Sequence, residues 1–181
     1  ACLEEAVKFS KKNNALFVHP FNDLTVISGK GTIAYEVCQE INPDIFLCTI
    51  GGGGLISGIY TYQKEFNKKY TVYGVEPDGA ASMSESLKQG VLTKLDTIDT
   101  FVDGASVKQV GNLTFQICKE NNCEVFTVSN GRICNEIISL YQEDGIIAEP
   151  AGALSICGLD QLDPELLKDK KVVCILSGGN N

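Results

Sequence analysis

Asp44-Ile45-Phe46-Leu47-Cys48-Thr49-Ile50-Gly51-Gly52-Gly53-Gly54-Leu55 runs an unbroken apolar segment directly into four glycines. An apolar run with no polar alternation suits a strand covered on both faces, as parallel strands are. From Leu55 to Phe66 the apolar residues return at helical spacing, so the order is strand, glycine loop, helix. Consecutive glycines let backbone N–H groups converge on a concavity without side chains in the way, and the helix that follows adds its partial positive charge. That combination suits a phosphate at the carboxyl end of a strand, where open α/β sheets bind ligands. A tight or flexible turn is the plainer reading of the same glycines. The run is neither the spaced dinucleotide fingerprint nor a P-loop, because no Lys-Ser/Thr pair follows it.

Outward from this stretch the alternation continues. Toward the C-terminus, the pattern predicts a strand over 71–75 ending at Glu76-Pro77, a helix over 110–120, a strand over 124–128, helices over 132–143 and 151–159, and a strand over 171–176. Toward the N-terminus, Leu3, Ala6, Val7 and Phe9 form a helical stripe within residues 1–12, and 15–18 reads as a short strand. The turn-rich His19-Pro20-Phe21-Asn22-Asp23 leads to a segment where Thr32, Ile33, Glu36 and Val37 suit a helix. Periodicity fades between Lys88 and Gly104, as in a surface loop or the border of a site. Strands alternating with helices predict an α/β fold with a mostly parallel sheet, and residues 1–181 read as one compact layer system.

Charge and cysteine usage exclude several classes. Fifteen Lys and Arg stand against 23 Asp and Glu, a formal net charge of −8 with no basic cluster, which disfavours nucleic acid and anionic membranes as partners. Apolar runs such as 45–50 and 172–176 fall far short of the roughly 20 residues a bilayer span needs. Glu4, Glu5, Lys8, Lys11 and Lys12 interrupt any signal-like region, so the expectation is a cytoplasmic protein. Of the eight cysteines, Cys38, Cys48, Cys134, Cys157 and Cys174 sit in apolar stretches and read as small hydrophobes. Cys118 and Cys123 have no second pair or nearby His to complete a zinc shell, so no metal is expected.

Two further segments open small residues at element ends. Val172-Val173-Cys174-Ile175-Leu176-Ser177-Gly178-Gly179-Asn180 is a second apolar strand followed by a hydroxyl and glycines; Ser177 either caps a following helix or faces the same crevice as Gly51 to Gly54. In Ala148-Glu149-Pro150-Ala151-Gly152-Ala153, Pro150 suits a helix start. Helix initiation leaves unexplained a carboxylate, Glu149, among so many small residues.

Together, Gly51-Gly52-Gly53-Gly54-Leu55, Val75-Glu76-Pro77, Phe101-Val102-Asp103-Gly104 with Gly111 and Thr114-Phe115, and Glu149-Pro150-Ala151-Gly152-Ala153 with Ser177-Gly178-Gly179-Asn180 resemble fold-type II pyridoxal-phosphate enzymes. The likeness is strongest to biosynthetic threonine dehydratases, with serine dehydratases and serine racemase as near relatives, and it runs over essentially the whole chain. It implies a three-layer fold, an open and mostly parallel sheet with helices on both faces. The implied cofactor is pyridoxal 5′-phosphate, with its phosphate on Gly51, Gly52, Gly53, Gly54 and the helix start at Leu55, Ser177 on the ring nitrogen and Glu149 near the ring. The implied reaction is deamination of L-threonine or L-serine to 2-oxobutanoate or pyruvate and ammonia, the first step of isoleucine biosynthesis, by a homo-oligomer. In this family the lysine that carries the cofactor lies on an earlier segment, in a Ser-x-Lys-x-Arg-Gly setting that nothing here matches. The resemblance therefore assigns residues 1–181 to the large cofactor-binding domain, without the lysine-bearing segment or the C-terminal regulatory domain. No catalytic residue is expected in this chain, and Lys30, in Ser28-Gly29-Lys30-Gly31-Thr32, is read as a solvated side chain. A cation site like that of some relatives would use Glu76 and Ala80, but Ser82 stands where they have an Asp. The alternative reading is a non-catalytic module that binds the cofactor or another phosphate ligand.

Overall fold

The computed structural model describes residues 2–180. Ala1, which the sequence pattern includes in the first helix, and Asn181 lie outside them. The apolar run becomes β1 (Ile45–Thr49), every residue of which is buried. It pairs in parallel with β2 (Thr71–Pro77) on one side and β4 (Val172–Cys174) on the other, and β3 (Glu124–Val128) pairs in parallel beyond β2. The sheet order is β3-β2-β1-β4.

Register is fixed at the amino end of β1 by Asp44. Its backbone N–H donates to the Lys171 carbonyl at 2.9 Å, its carbonyl accepts from the Thr71 N–H at 2.9 Å, and its carboxylate accepts from the Lys171 N–H at 2.9 Å. One residue thus aligns three strands, pairing Ile45 with both Thr71 and Val172.

Side chains alternate across the sheet. Phe46, Cys48 and Val72 face Ile56 and Ile59 of α4 (Gly54–Glu65) and Phe115 and Cys118 of α6 (Asn112–Glu120). Ile45, Leu47, Tyr73 and Val75 face Ile133 of α7 (Asn130–Asp144) and Leu154 of α8 (Pro150–Cys157). Helices therefore cover both faces, giving the expected three-layer α/β fold with a parallel sheet. Phe46 and Leu47 are fully buried, each worth about 2–3 kcal/mol of transfer free energy.

The remaining helices are α1 (Cys2–Lys12), α2 (Leu24–Lys30), α3 (Thr32–Glu40), α5 (Ser82–Gln89) and α9 (Pro164–Leu167). α2 starts where the Asp23 carboxylate accepts from the N–H groups of Thr25 and Val26 at 2.9 and 3.0 Å, and it packs on α4. Residues 15–18 do not form the expected strand. They are irregular, with Leu16 89% and Val18 60% exposed, and they pair with none of the four strands of the described sheet. Cys38, Cys48, Cys118, Cys123, Cys134, Cys157 and Cys174 are free thiols. Burial pushes the Cys48 thiol well above its ordinary pKa, which fits a packing role. No helix among the described residues is long and apolar enough to cross a membrane.

Candidate functional site

The carboxyl end of β1 runs into the glycine loop, and the loop's shape depends on missing side chains. Gly53 adopts φ +88°, the left-handed region, and a Cβ there would lie 2.8 Å from the Thr114 side chain. A Cβ on Gly52 would overlap the Phe21 ring. The loop is held from below: Thr114 Oγ donates to the Gly52 carbonyl at 2.7 Å, and the Gly111 N–H donates to the same oxygen at 3.3 Å. The Gly52 carbonyl is thus occupied by two donors. α4 begins at Gly54 with no side-chain cap and no acidic residue in its first turn. The N–H groups of Gly52, Gly53, Gly54 and Leu55 find no acceptor among the described residues, as expected of an uncapped helix start.

Two other element ends close on this loop. Thr49 Oγ donates to the Ala151 carbonyl in the first turn of α8 at 2.8 Å. Ser177, just past β4, donates to that same carbonyl through a longer contact of 3.4 Å. The Glu149 N–H donates to the Gly178 carbonyl at 3.1 Å, which lays the start of α8 against the chain leaving β4. Glu149 is half-buried at the N-cap position of α8, and its side chain does not cap the helix.

These groups line one cavity of about 540 Å³. Gly51, Gly52, Gly53, Gly54, Leu55, Glu149 and Ser177 all face it. Ten further lining residues were not singled out from the sequence as site residues, among them Phe21, Thr49 and Lys30. Lys30, expected to be a solvated side chain, is among the lining residues. It is half-buried, and its Cδ and Cε lie 3.2 Å from where a Cβ on Gly54 would sit. The fold places it there through the packing of α2 on α4, which no local pattern announces. Thr114 was likewise invisible as a loop anchor, because its partner lies 62 residues away.

The end of the neighbouring strand is arranged differently. Glu76, on β2, is fully buried, and its two carboxylate oxygens accept from the N–H groups of Met83 and Ser84 at 2.8 Å each. Burial raises this carboxyl to about 7, with the two amide hydrogen bonds opposing the rise. Ser82 Oγ is buried beside it without a hydrogen-bond partner. No group of three His, Cys, Asp or Glu able to hold a metal ion occurs among the described residues.

An open parallel sheet with a glycine loop, a hydroxyl and a carboxylate converging at its carboxyl edge defines an α/β protein with a ligand pocket at the strand ends. The chain belongs to the pyridoxal-phosphate dependent enzyme family, whose pattern it matches over residues 1–178. It is 48% identical over 179 residues to the biosynthetic L-threonine dehydratase of Halalkalibacterium halodurans, covering 98% of this chain and 43% of that protein. The processed form of threonine deaminase isoform 2 from Solanum lycopersicum superposes with a TM-score of 0.87 at 36% identity, over 97% of this chain and 52% of the other. Serine racemase from Dictyostelium discoideum gives a TM-score of 0.84 at 33% identity, over 98% and 57%. The chain spans less than half the length of the curated relatives it matches.

Proposed function

We propose that this chain is the cofactor-binding part of a threonine or serine dehydratase. On this reading residues 51–54 and the start of α4 hold the phosphate of pyridoxal 5′-phosphate, Ser177 faces its ring nitrogen and Glu149 lies beside the ring. The observation that carries the reading is the meeting, in one cavity of about 540 Å³, of the uncapped glycine loop with Ser177 and Glu149.

Each residue has a physical task. The unpaired N–H groups of Gly52, Gly53, Gly54 and Leu55 supply charge-assisted donors to an anionic ester, reinforced by the helix dipole. Thr114, by binding the Gly52 carbonyl, keeps that carbonyl away from the anion. The Ser177 hydroxyl, held by a long contact to Ala151, turns at little cost to donate to a ring nitrogen, because a hydroxyl hydrogen rotates to suit its acceptor. A neutral hydroxyl at that nitrogen does not hold the ring protonated. Bound there, pyridoxal phosphate supplies an electron sink for the substrate's α-carbon, moderated in a way that suits loss of a β-hydroxyl over transamination.

The same reading makes the substrate a small hydroxy amino acid, L-threonine or L-serine, and the products 2-oxobutanoate or pyruvate with ammonia. It also makes the protein a cytoplasmic homo-oligomer acting first in isoleucine biosynthesis. The names of the relatives support the threonine substrate and the biosynthetic role. The test is keto-acid release by the intact protein with added pyridoxal 5′-phosphate, L-threonine and L-serine being compared side by side. Release from either, abolished together with cofactor binding by Gly53→Val, is the expected result; release from neither sinks the dehydratase reading.

A further inference from the structure

The glycine loop meets a second feature that its backbone chemistry does not require. Among the described residues, Lys30 and Glu149 are the only charged ones lining the cavity. The two sit in different surroundings. Glu149 belongs to the α8 and β4 side, whereas the Lys30 methylenes lie against Gly54, the first residue of α4. Lys30 forms no ion pair and no side-chain hydrogen bond among the described residues. Its position is fixed by the crossing of two helices. Gly31, directly after Lys30, approaches Gly58 of α4 so closely that a Cβ on Gly31 would lie 2.9 Å from the Gly58 carbonyl oxygen.

A half-buried lysine without an ion pair thus has its side chain against the positive end of a helix dipole. Alone, that end repels it. An anion shared between the amides and the ammonium resolves the conflict, since each then interacts with opposite charge. The overall charge of −8 opposes the approach of a dianion, and a local cation at the site offsets it.

We propose that Lys30 is a phosphate-binding residue of the cradle, its ammonium contacting the dianion held by the glycine loop. The assignment rests on the cradle being the phosphate site, as proposed above. It adds a point charge to a site otherwise made of backbone dipoles. It also confers selectivity for the phosphorylated cofactor over its unphosphorylated form.

The test is a spectral titration of the intact protein with pyridoxal 5′-phosphate and with pyridoxal, at low and high salt, joined to the ³¹P shift of the bound phosphate. Lys30→Gln is expected to weaken the phosphorylated ligand by about tenfold and to flatten its salt dependence, leaving pyridoxal unchanged. Lys30→Arg, which keeps the charge, is expected to stay within about twofold. Unchanged phosphate affinity and salt dependence in Lys30→Gln overturn the proposal. Equal weakening of both ligands also overturns it, since that marks Lys30 as packing alone. Borohydride reduction followed by peptide mapping covers one more possibility: stoichiometric cofactor on Lys30 itself would show the amine engaged by the aldehyde, against the proposal. Gly53→Val reports separately on the cradle. If that variant keeps full affinity the cradle reading fails; if it loses affinity while Lys30→Gln does not, only the role of Lys30 fails.

Discussion

β1 and β2 lie side by side, and each leads into a helix, yet the two junctions treat the helix N-terminus in opposite ways. At β2 the strand's own Glu76 turns into the core and takes the Met83 and Ser84 amides of α5. At β1 four glycines follow, and α4 begins with no acid in its first turn and no side-chain cap. Both helices present the same orphan donors. One set is consumed by the fold, the other withheld from it. A helix start thus contributes to stability when the chain provides the acceptor and becomes a ligand site when the chain omits it. Substitutions at the β2 junction should therefore act on stability, and those at the β1 junction on binding.

The largest effect tests the consumed end. Glu76→Ala strips two buried amides of their acceptor and opens space in a closed core, so we expect a loss of about 3–4 kcal/mol in urea unfolding. The cofactor affinity of the folded fraction should stay within about twofold, because the two junctions share no hydrogen bond. An unfolding midpoint equal to the parent's would break the contrast.

Next comes the withheld end. Gly53→Val forces a β-branched residue to φ +88° and against Thr114, and it fills the space the anion needs. Affinity for pyridoxal 5′-phosphate should fall by about 100-fold, with a stability cost of about 1–3 kcal/mol from backbone strain. Circular dichroism of the variant separates a lost site from a lost fold. A variant that keeps both its fold and its affinity would remove the distinction between the two helix starts.

A pH series sharpens the comparison further. The Glu76 carboxyl is raised from 4.5 to about 7 in the folded protein, so between these values the folded chain binds a proton that the unfolded chain has released. Stability from this group is fully present below pH 4.5 and declines as pH rises through about 7, the reverse of an ordinary paired carboxylate. The decline should be about 2 kcal/mol between pH 5 and pH 7. Glu76→Gln, which cannot ionise, should remove that slope and still accept one amide hydrogen bond. A slope of unchanged size in Glu76→Gln would place the titration elsewhere.

The sequence made one junction far more legible than the other. The end of β1 could be read because both its signals are local: an apolar run without alternation, then glycines that leave the amides uncovered. α5 was missed because Ser82-Met83-Ser84-Glu85-Ser86 is short, polar and weak in helix propensity, and its helical state depends on a carboxylate seven residues upstream of Met83. The same limit hid Lys30, whose place is set by the packing of α2 on α4, and Thr114, whose partner lies across the sheet edge. The strand expected over 15–18 fails in the same way, since local β preference does not decide whether a segment pairs with the sheet. Local pattern reported what the backbone does at the site, whereas the side chains that brace or charge it come from elements folded in from elsewhere.

Ser177 gives the smallest and most selective test, because it belongs to the withheld side without touching either helix start. Its hydroxyl makes one long contact of 3.4 Å to the Ala151 carbonyl, and Thr49 already satisfies that carbonyl at 2.8 Å. Ser177→Ala therefore leaves no buried acceptor unpaired, and the stability change should stay within about 0.5 kcal/mol. A donor to the ring nitrogen has a different signature: affinity for pyridoxal 5′-phosphate down by about threefold and a shifted absorbance maximum of the bound cofactor, since removing the donor alters the electronics of the ring. Ser177→Cys, of similar size but with a weak donor, should fall between the two. If Ser177→Ala destabilises the protein while the bound spectrum stays fixed, the hydroxyl is spent on the fold like Glu76, and the division between the two junctions does not extend to β4.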